Sequence, residues 1–172
     1  MKKIKILALP GSLRTNSSTH VVLNEIEKMI PAEVAFEIFD GIGTLPHFDG
    51  SEEIPGVVTN FLEKIKQADG ILICTPEYAF GVPGSLKNAF DWTVGSMEMT
   101  HKPTALITAS TGGERGHESM LYTLGALSAK VAEGSSLLIS FIRSKIKDGK
   151  MADENTKVLI QAALDSLIRS IG

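Results

Sequence analysis

Short apolar runs alternate along this chain with longer stretches whose apolar residues return every three or four positions. "KIKILAL" reads as a first strand that ends at Pro10. Val22, Ile26, Met29 and Ile30 then recur at helical spacing until Pro31 stops the run. "VAFEIFD" alternates apolar and polar residues like a second strand. Val58, Phe61, Leu62 and Ile65 predict a second amphipathic helix, with Pro55 near its start. "GILICT" is a third strand, apolar on both faces. Leu86, Ala89, Phe90, Val94 and Met97 predict a third helix. "PTALITAS" and "SSLLIS" are further strands, separated by a helix from about Glu118 to Ala129. Ile160, Leu164, Leu167 and Ile168 mark a C-terminal helix.

This succession of β-α units with near-continuous apolar strands predicts an α/β fold with a parallel sheet covered by helices on both faces. Right-handed crossovers restrict the strand orders available. The expected solution is a flavodoxin-like three-layer sandwich, with a five-stranded parallel sheet in the order 2-1-3-4-5 and a ligand crevice at the carboxyl ends of the strands. The length of 172 residues suits one well-packed domain over residues 1–172.

Composition narrows the partners. The net charge of −3 and the scattered basic residues argue against nucleic acid or an anionic membrane surface as the main partner. Lys2, Lys3 and Lys5 before "ILALPG" resemble the start of a signal peptide, but the apolar stretch is too short for a secretory core and reads as the first strand. No segment approaches the roughly 20 apolar residues that a transmembrane helix needs. A single cysteine, Cys74, excludes an internal disulfide and fits a reducing compartment, so a cytoplasmic location is expected.

The chemistry concentrates in three loops. Gly11 to His20 offers hydroxyls from Ser12, Thr15, Ser17, Ser18 and Thr19, the amide of Asn16 and the guanidinium of Arg14. A helix N-terminus already favours an anion, and these groups add charge-assisted hydrogen bonds to phosphate oxygens. The competing reading is a plain serine-rich helix cap, which needs one hydroxyl and not several. The loop lacks both the Walker A pattern and a G-x-G-x-x-G fingerprint, so it suits a monophosphate. In the second loop, from Thr75, Pro76 and Pro83 stiffen the backbone while Gly81 and Gly84 relax its conformational limits. Backbone so fixed can read the polar edge of a heterocycle, and Tyr78 or Phe80 can lie against a ring. Glu77 is either an acid-base group or a bond to backbone donors. The third loop, Thr108 to His117, has adjacent Gly112 and Gly113 for close backbone approach, with Arg115 and His117 available to an anion; a plain flexible loop is the alternative.

"GSLRTNSS" followed by "PEYAFGVPGSLKNAFDW" resembles the NADPH-dependent FMN reductase family, which includes azobenzene, chromate and quinone reductases. The resemblance spans nearly the whole chain. It implies FMN as cofactor, NADPH or NADH as electron donor and a small-molecule electron acceptor. It carries the phosphate site onto Ser12, Arg14, Ser17, Ser18 and Thr19, the isoalloxazine loop onto Pro76, Glu77, Tyr78, Ala79 and Phe80, and the third loop onto Ser110, Thr111, Gly112 and Gly113. Asn16 joins the first set from its place in the loop. The resemblance also implies a homodimer or homotetramer, with the helix that opens "PGSLKNAFDW" at a subunit interface. Many family members have asparagine where Ala79 stands, and a bulky aromatic followed by asparagine where Ser18 and Thr19 stand.

Other residues invite chemistry without forming a pattern. Cys74 lies in a strand that reads as fully buried, which makes it core. His20, His47, His101 and His117 are too dispersed for a local metal motif. Met97 and Met99 read as a helix face or subunit contact. The activity that the resemblance implies is that of an FMN-dependent oxidoreductase, in which no side chain is obliged to act as acid or base. The alternative is a flavodoxin-type electron carrier, against which the modest negative charge and Arg14 argue.

Overall fold

A computed structural model describes residues 3–172. Its elements in chain order are β1 (Ile4–Pro10), α1 (Ser18–Met29), β2 (Val34–Ile38), α2 (Gly56–Gln67), β3 (Gly70–Thr75), α3 (Gly84–Asp91), β4 (Pro103–Ala109), α4 (Glu114–Ala126), β5 (Lys130–Ile139), β6 (Ile146–Lys147), β7 (Lys150–Met151) and α5 (Glu154–Ile171). Strands β1 to β5 form one parallel sheet in the order β2-β1-β3-β4-β5, as the sequence predicts. The short β6–β7 pair is a separate antiparallel hairpin.

Alternation along the central strands divides the core into two layers. Leu7, Leu9, Ile71, Ile73 and Leu106 face α2, α3 and α4, where Phe61, Ile65, Leu86, Phe90 and Met120 are buried against them. Ile6, Ala8, Leu72, Cys74 and Ile107 face α1 and α5, where Val22, Leu23, Ile26, Ile160, Leu164 and Leu167 close the other layer. Every residue of β3 is buried, which explains its unbroken apolar run. Cys74 is one of these core side chains. Burial without a charged neighbour pushes its thiol pKa far up, and its Sγ–H reaches the Thr19 carbonyl at 3.7 Å. Among the described residues no helix is long and apolar enough to cross a membrane.

Three elements differ from their sequence reading. The third helix stops at Asp91, not at Met97. Beyond it the chain turns, Met97 takes a positive φ of 57°, and Val94 and Met97 are exposed and not part of a helical stripe. Trp92, by contrast, is buried. Its indole N–H donates to the Pro46 carbonyl at 2.8 Å, and its ring meets Phe48 edge-on at 5.0 Å. Asn88 ties the same loop down, accepting from the Phe48 N–H at 2.8 Å and donating to the Pro46 carbonyl at 2.9 Å. This face of α3 is spent inside the protomer. Helix α4 begins at Glu114, several residues earlier than the apolar pattern indicates, because Gly113 turns the chain into it at φ 110°. Strand β5 extends back to Lys130, with a register break opposite Thr104–Leu106. There Gly134 has φ 79° and the Ser135 hydroxyl donates to the Thr104 carbonyl at 3.1 Å.

Candidate functional site

The loops that follow β1, β3 and β4 leave the sheet at its carboxyl end, and there they enclose a crevice of about 380 Å³. Its first wall is the turn into α1, where Ser12, Arg14, Asn16, Ser17, Ser18 and Thr19 all line the cavity. The turn is built by local bonds: the Gly11 N–H donates to the Cys74 carbonyl at 2.7 Å, and the Ser17 N–H to the Arg14 carbonyl at 3.1 Å. The buried Ser12 hydroxyl accepts from the Arg14 N–H at 3.3 Å. Ser17 is the N-cap of α1; its Oγ accepts from the His20 N–H at 3.3 Å and lies 2.9 Å from His20 Nδ1. The capping alternative is thus correct for Ser17, and for this residue alone among the hydroxyls of the loop.

Thr19 carries the test of what the crevice can hold. It is 1% exposed, and its Oγ1 is the one buried side-chain oxygen or nitrogen among the described residues without a hydrogen-bond partner. An unsatisfied buried hydroxyl costs about 1–3 kcal/mol, so it needs a polar partner from outside the chain. Arg14 lines the same wall, and its guanidinium makes no hydrogen bond or ion pair among the described residues. An orphaned hydroxyl, a free cation and the start of a helix fit a phosphate monoester such as that of FMN.

The second wall is Pro76, Glu77 and Tyr78. The Glu77 carboxylate accepts from the Gly116 N–H in the first turn of α4 at 2.6 Å, a charge-assisted bond at a helix N-terminus. Glu77 thereby pins the second loop to α4. Gly116 is needed for the approach, since a Cβ there would lie 3.0 Å from Glu77 Cγ. Tyr78 and Gly81 exchange backbone bonds of 3.0 and 2.9 Å around Ala79 and Phe80, whose φ values are 48° and 61°. Both central residues of this two-residue turn are left-handed, a geometry that asparagine and glycine adopt most readily. Ala79 and Phe80 are not on the cavity wall, and Phe80 is 80% exposed at the turn's tip.

The third wall is Ala109, Ser110 and Thr111. Ser110 Oγ accepts from the Glu77 N–H at 3.3 Å and so joins the second and third loops. Gly112 and Gly113 lie off the wall. The role of Gly113 is steric, since its φ is 110° and a Cβ there would stand 2.7 Å from Leu138 Cδ1. Arg115 and His117 are not the free anion-binding pair that the sequence offers. Arg115 sits 3.8 Å from Glu118, while the His117 ring nitrogens bond Thr108 Oγ1 at 2.8 Å and Ser136 Oγ at 2.9 Å. Burial also lowers the His117 pKa, which favours the neutral ring.

Ala109, the last residue of β4, was not singled out from the sequence, and two further wall residues lie outside the three loops altogether, Ile142 and Arg143. They follow β5 in a single turn, Ile142–Lys145, that leads into the β6–β7 hairpin. The signal was present in "FIRSKIKDGK": Asp148-Gly149, at φ 50° and 70°, is a strong hairpin dipeptide, and it marks the excursion between β5 and α5.

Known proteins resemble the whole chain. The family described as NADPH-dependent FMN reductase matches residues 4–143. A quinone reductase of Escherichia coli K12 is 32% identical over 166 residues, covering 90% of this chain and 88% of the relative. An NADPH azoreductase of Bacillus sp. OY1-2 is 29% identical over 95% of this chain and 90% of its own length. Among solved structures, the flavoenzyme NAD(P)H:(acceptor) oxidoreductase FerB of Paracoccus denitrificans superposes with a TM-score of 0.79 at 25% identity, covering 98% of this chain and 97% of that one.

Proposed function

This chain belongs to the NADPH-dependent FMN reductase family, and on that premise we propose that it passes electrons from NADPH or NADH to quinones, azo compounds, metal oxyanions or free flavin, with donor and acceptor using one crevice in turn. The observation that carries the reading is Thr19: a buried, unpartnered hydroxyl beside Arg14, at the start of α1, in a cavity walled by the three loops. Bound FMN supplies the redox chemistry. The protein's part is to hold and to exclude. Ser12, Arg14, Ser18 and Thr19 grip the phosphate, while Pro76–Tyr78 and Ser110–Thr111 present fixed backbone to the ring. Glu77, committed to the Gly116 N–H, keeps the second loop rigid. Relatives that bear the names quinone reductase and azoreductase support the choice of acceptors. A cytoplasmic setting suits both a nicotinamide donor and one buried, reduced cysteine.

The kinetic order follows from the single crevice. Electron transfer as hydride needs reacting atoms roughly 3–3.5 Å apart, so the nicotinamide and a ring-shaped acceptor must each reach the same face. One has to leave before the other enters. Double-reciprocal plots at several fixed quinone concentrations are expected to be parallel, whereas lines that intersect left of the axis would mean both substrates bind together. The purified protein should be yellow and release FMN on denaturation.

The working unit in this reading is a homodimer or homotetramer. Phe90 and Trp92 are core, but Val94 at 61% and Tyr122 at 74% exposure line a groove between α3 and α4 and leave an apolar surface there. A second copy seated there by two-fold symmetry would cover it. Sedimentation should show a dimer or tetramer at micromolar concentration, and Tyr122→Asp should shift it to monomer. A wild-type monomer with FMN bound would contradict the assignment.

A further inference from the structure

The arginines of this chain divide sharply by partner. Arg115 stands beside Glu118, and Arg169 donates to Ser166 Oγ at 2.9 Å. The side chains of Arg14 and Arg143 make no hydrogen bond or ion pair among the described residues, and both line the crevice. We propose that Arg143 is a second phosphate-binding cation, supplied from beyond β5, which with Arg14 holds the FMN phosphate from two sides. This rests on the reading of the crevice as an FMN site.

The segment that carries Arg143 is fixed, not loose. Phe141 turns the chain at φ 54°, its N–H donating to the Thr111 carbonyl at 2.9 Å, and the next N–H, of Ile142, donates to the Ser110 carbonyl at 3.0 Å. Ile142 is buried in the core layer that contains Val22, Leu23 and Ile26 of α1. Two residues beyond Arg143, the Lys145 carbonyl accepts from the Ala152 N–H at 2.8 Å, and the Lys145 ammonium lies 3.7 Å from Asp153. Arg143 is therefore anchored on both sides and presented from a set place.

That place selects the phosphate over the second substrate. Ile142, the neighbour of Arg143, is buried in the layer that α1 covers, and Arg143 lines the crevice together with Thr19 and the hydroxyl loop. Glu77, Gly116 and α4 stand on the opposite face, where Phe90 and Met120 are packed. Among the described residues the only carboxylate on the cavity wall is Glu77, already engaged, so none of them neutralises the two guanidinium groups in the crevice. A phosphate monoester carries about −1.5 to −2 charge at pH 7, which two cations match better than one.

The test is titration of the flavin-free protein with FMN and with riboflavin, for wild type, Arg143→Met and Arg143→Lys. Arg143→Met is expected to raise the FMN dissociation constant about 10-fold and to leave riboflavin unchanged, with Arg143→Lys restoring part of the loss. Its melting temperature without flavin should match wild type, since the guanidinium has no partner to lose. If Arg143→Met titrates with FMN as wild type does, the proposal is wrong, and a raised KM for the dinucleotide would then assign Arg143 to the second substrate. Equal weakening of FMN and riboflavin would also overturn it. A wild type that binds neither flavin would instead refute the FMN reading itself, and the proposal with it.

Discussion

Gly11→Ala is expected to lower the stability of the fold by about 3 kcal/mol and to abolish tight flavin binding. Gly11 ends β1 where the chain leaves the sheet, and its N–H bond to the Cys74 carbonyl, 2.7 Å, is the last bond holding β1 to β3. A Cβ there would stand 2.2 Å from Thr75 Oγ1, 2.6 Å from Thr75 Cβ and 2.8 Å from Thr75 Cα. The hydroxyl alone would turn aside, but the Cα belongs to a buried strand end and has nowhere to go. Relief requires the carboxyl ends of β1 and β3 to part. Those ends carry the first and second loops, so the same movement opens the crevice between Ser12 and Pro76. At about 2–4 °C per kcal/mol for a chain of this size, the melting temperature should fall by roughly 6–12 °C. Gly125→Ala is the control: it lies within α4 with nothing inside 4 Å of the added carbon, and there alanine favours the helix by up to about 1 kcal/mol. A Gly11→Ala protein that melts with wild type would show that the strand ends separate freely.

How far the sequence foretold this arrangement depends on the range of the forces involved. The strands were legible because burial on two faces leaves a local mark, as in "GILICT". The handedness of crossovers narrowed the strand orders, and the flavodoxin-like solution expected among them, β2-β1-β3-β4-β5, is the one observed. The end of the third helix was not legible. Val94 and Met97 continue its spacing, but Trp92 leaves the pattern to bond Pro46, a partner far away in the chain. The start of α4 was hidden for the converse reason, since Glu114 to His117 look like loop until Glu77 caps them from another segment. The crevice shows the same division. The hydroxyl loop announced itself by composition, whereas Arg143 reaches the wall through two backbone bonds to Ser110 and Thr111 that no local pattern encodes.

Arg14→Ala is expected to weaken FMN binding by about 10- to 150-fold, the range that corresponds to a hydrogen bond with a charged group worth roughly 1.5–3 kcal/mol. Riboflavin, which lacks the phosphate, should bind almost as before. The side chain is exposed, and screening by salt reduces what it contributes, so the larger losses belong to low ionic strength. The backbone of the loop does not depend on the guanidinium. The Arg14 N–H bond to Ser12 and the Ser17 bond to the Arg14 carbonyl survive the substitution, and α1 keeps its Ser17 cap. A folding defect is therefore not expected, and calorimetric titration of the two flavins isolates the phosphate. Combination with Arg143→Met sharpens the result. Two cations on one phosphate are coupled through it, so the double variant should lose either more or less than the sum of the single losses, whereas independent sites would add within about 0.3–0.5 kcal/mol. Equal losses for FMN and riboflavin in Arg14→Ala would remove Arg14 from the phosphate and leave the first wall to its hydroxyls alone.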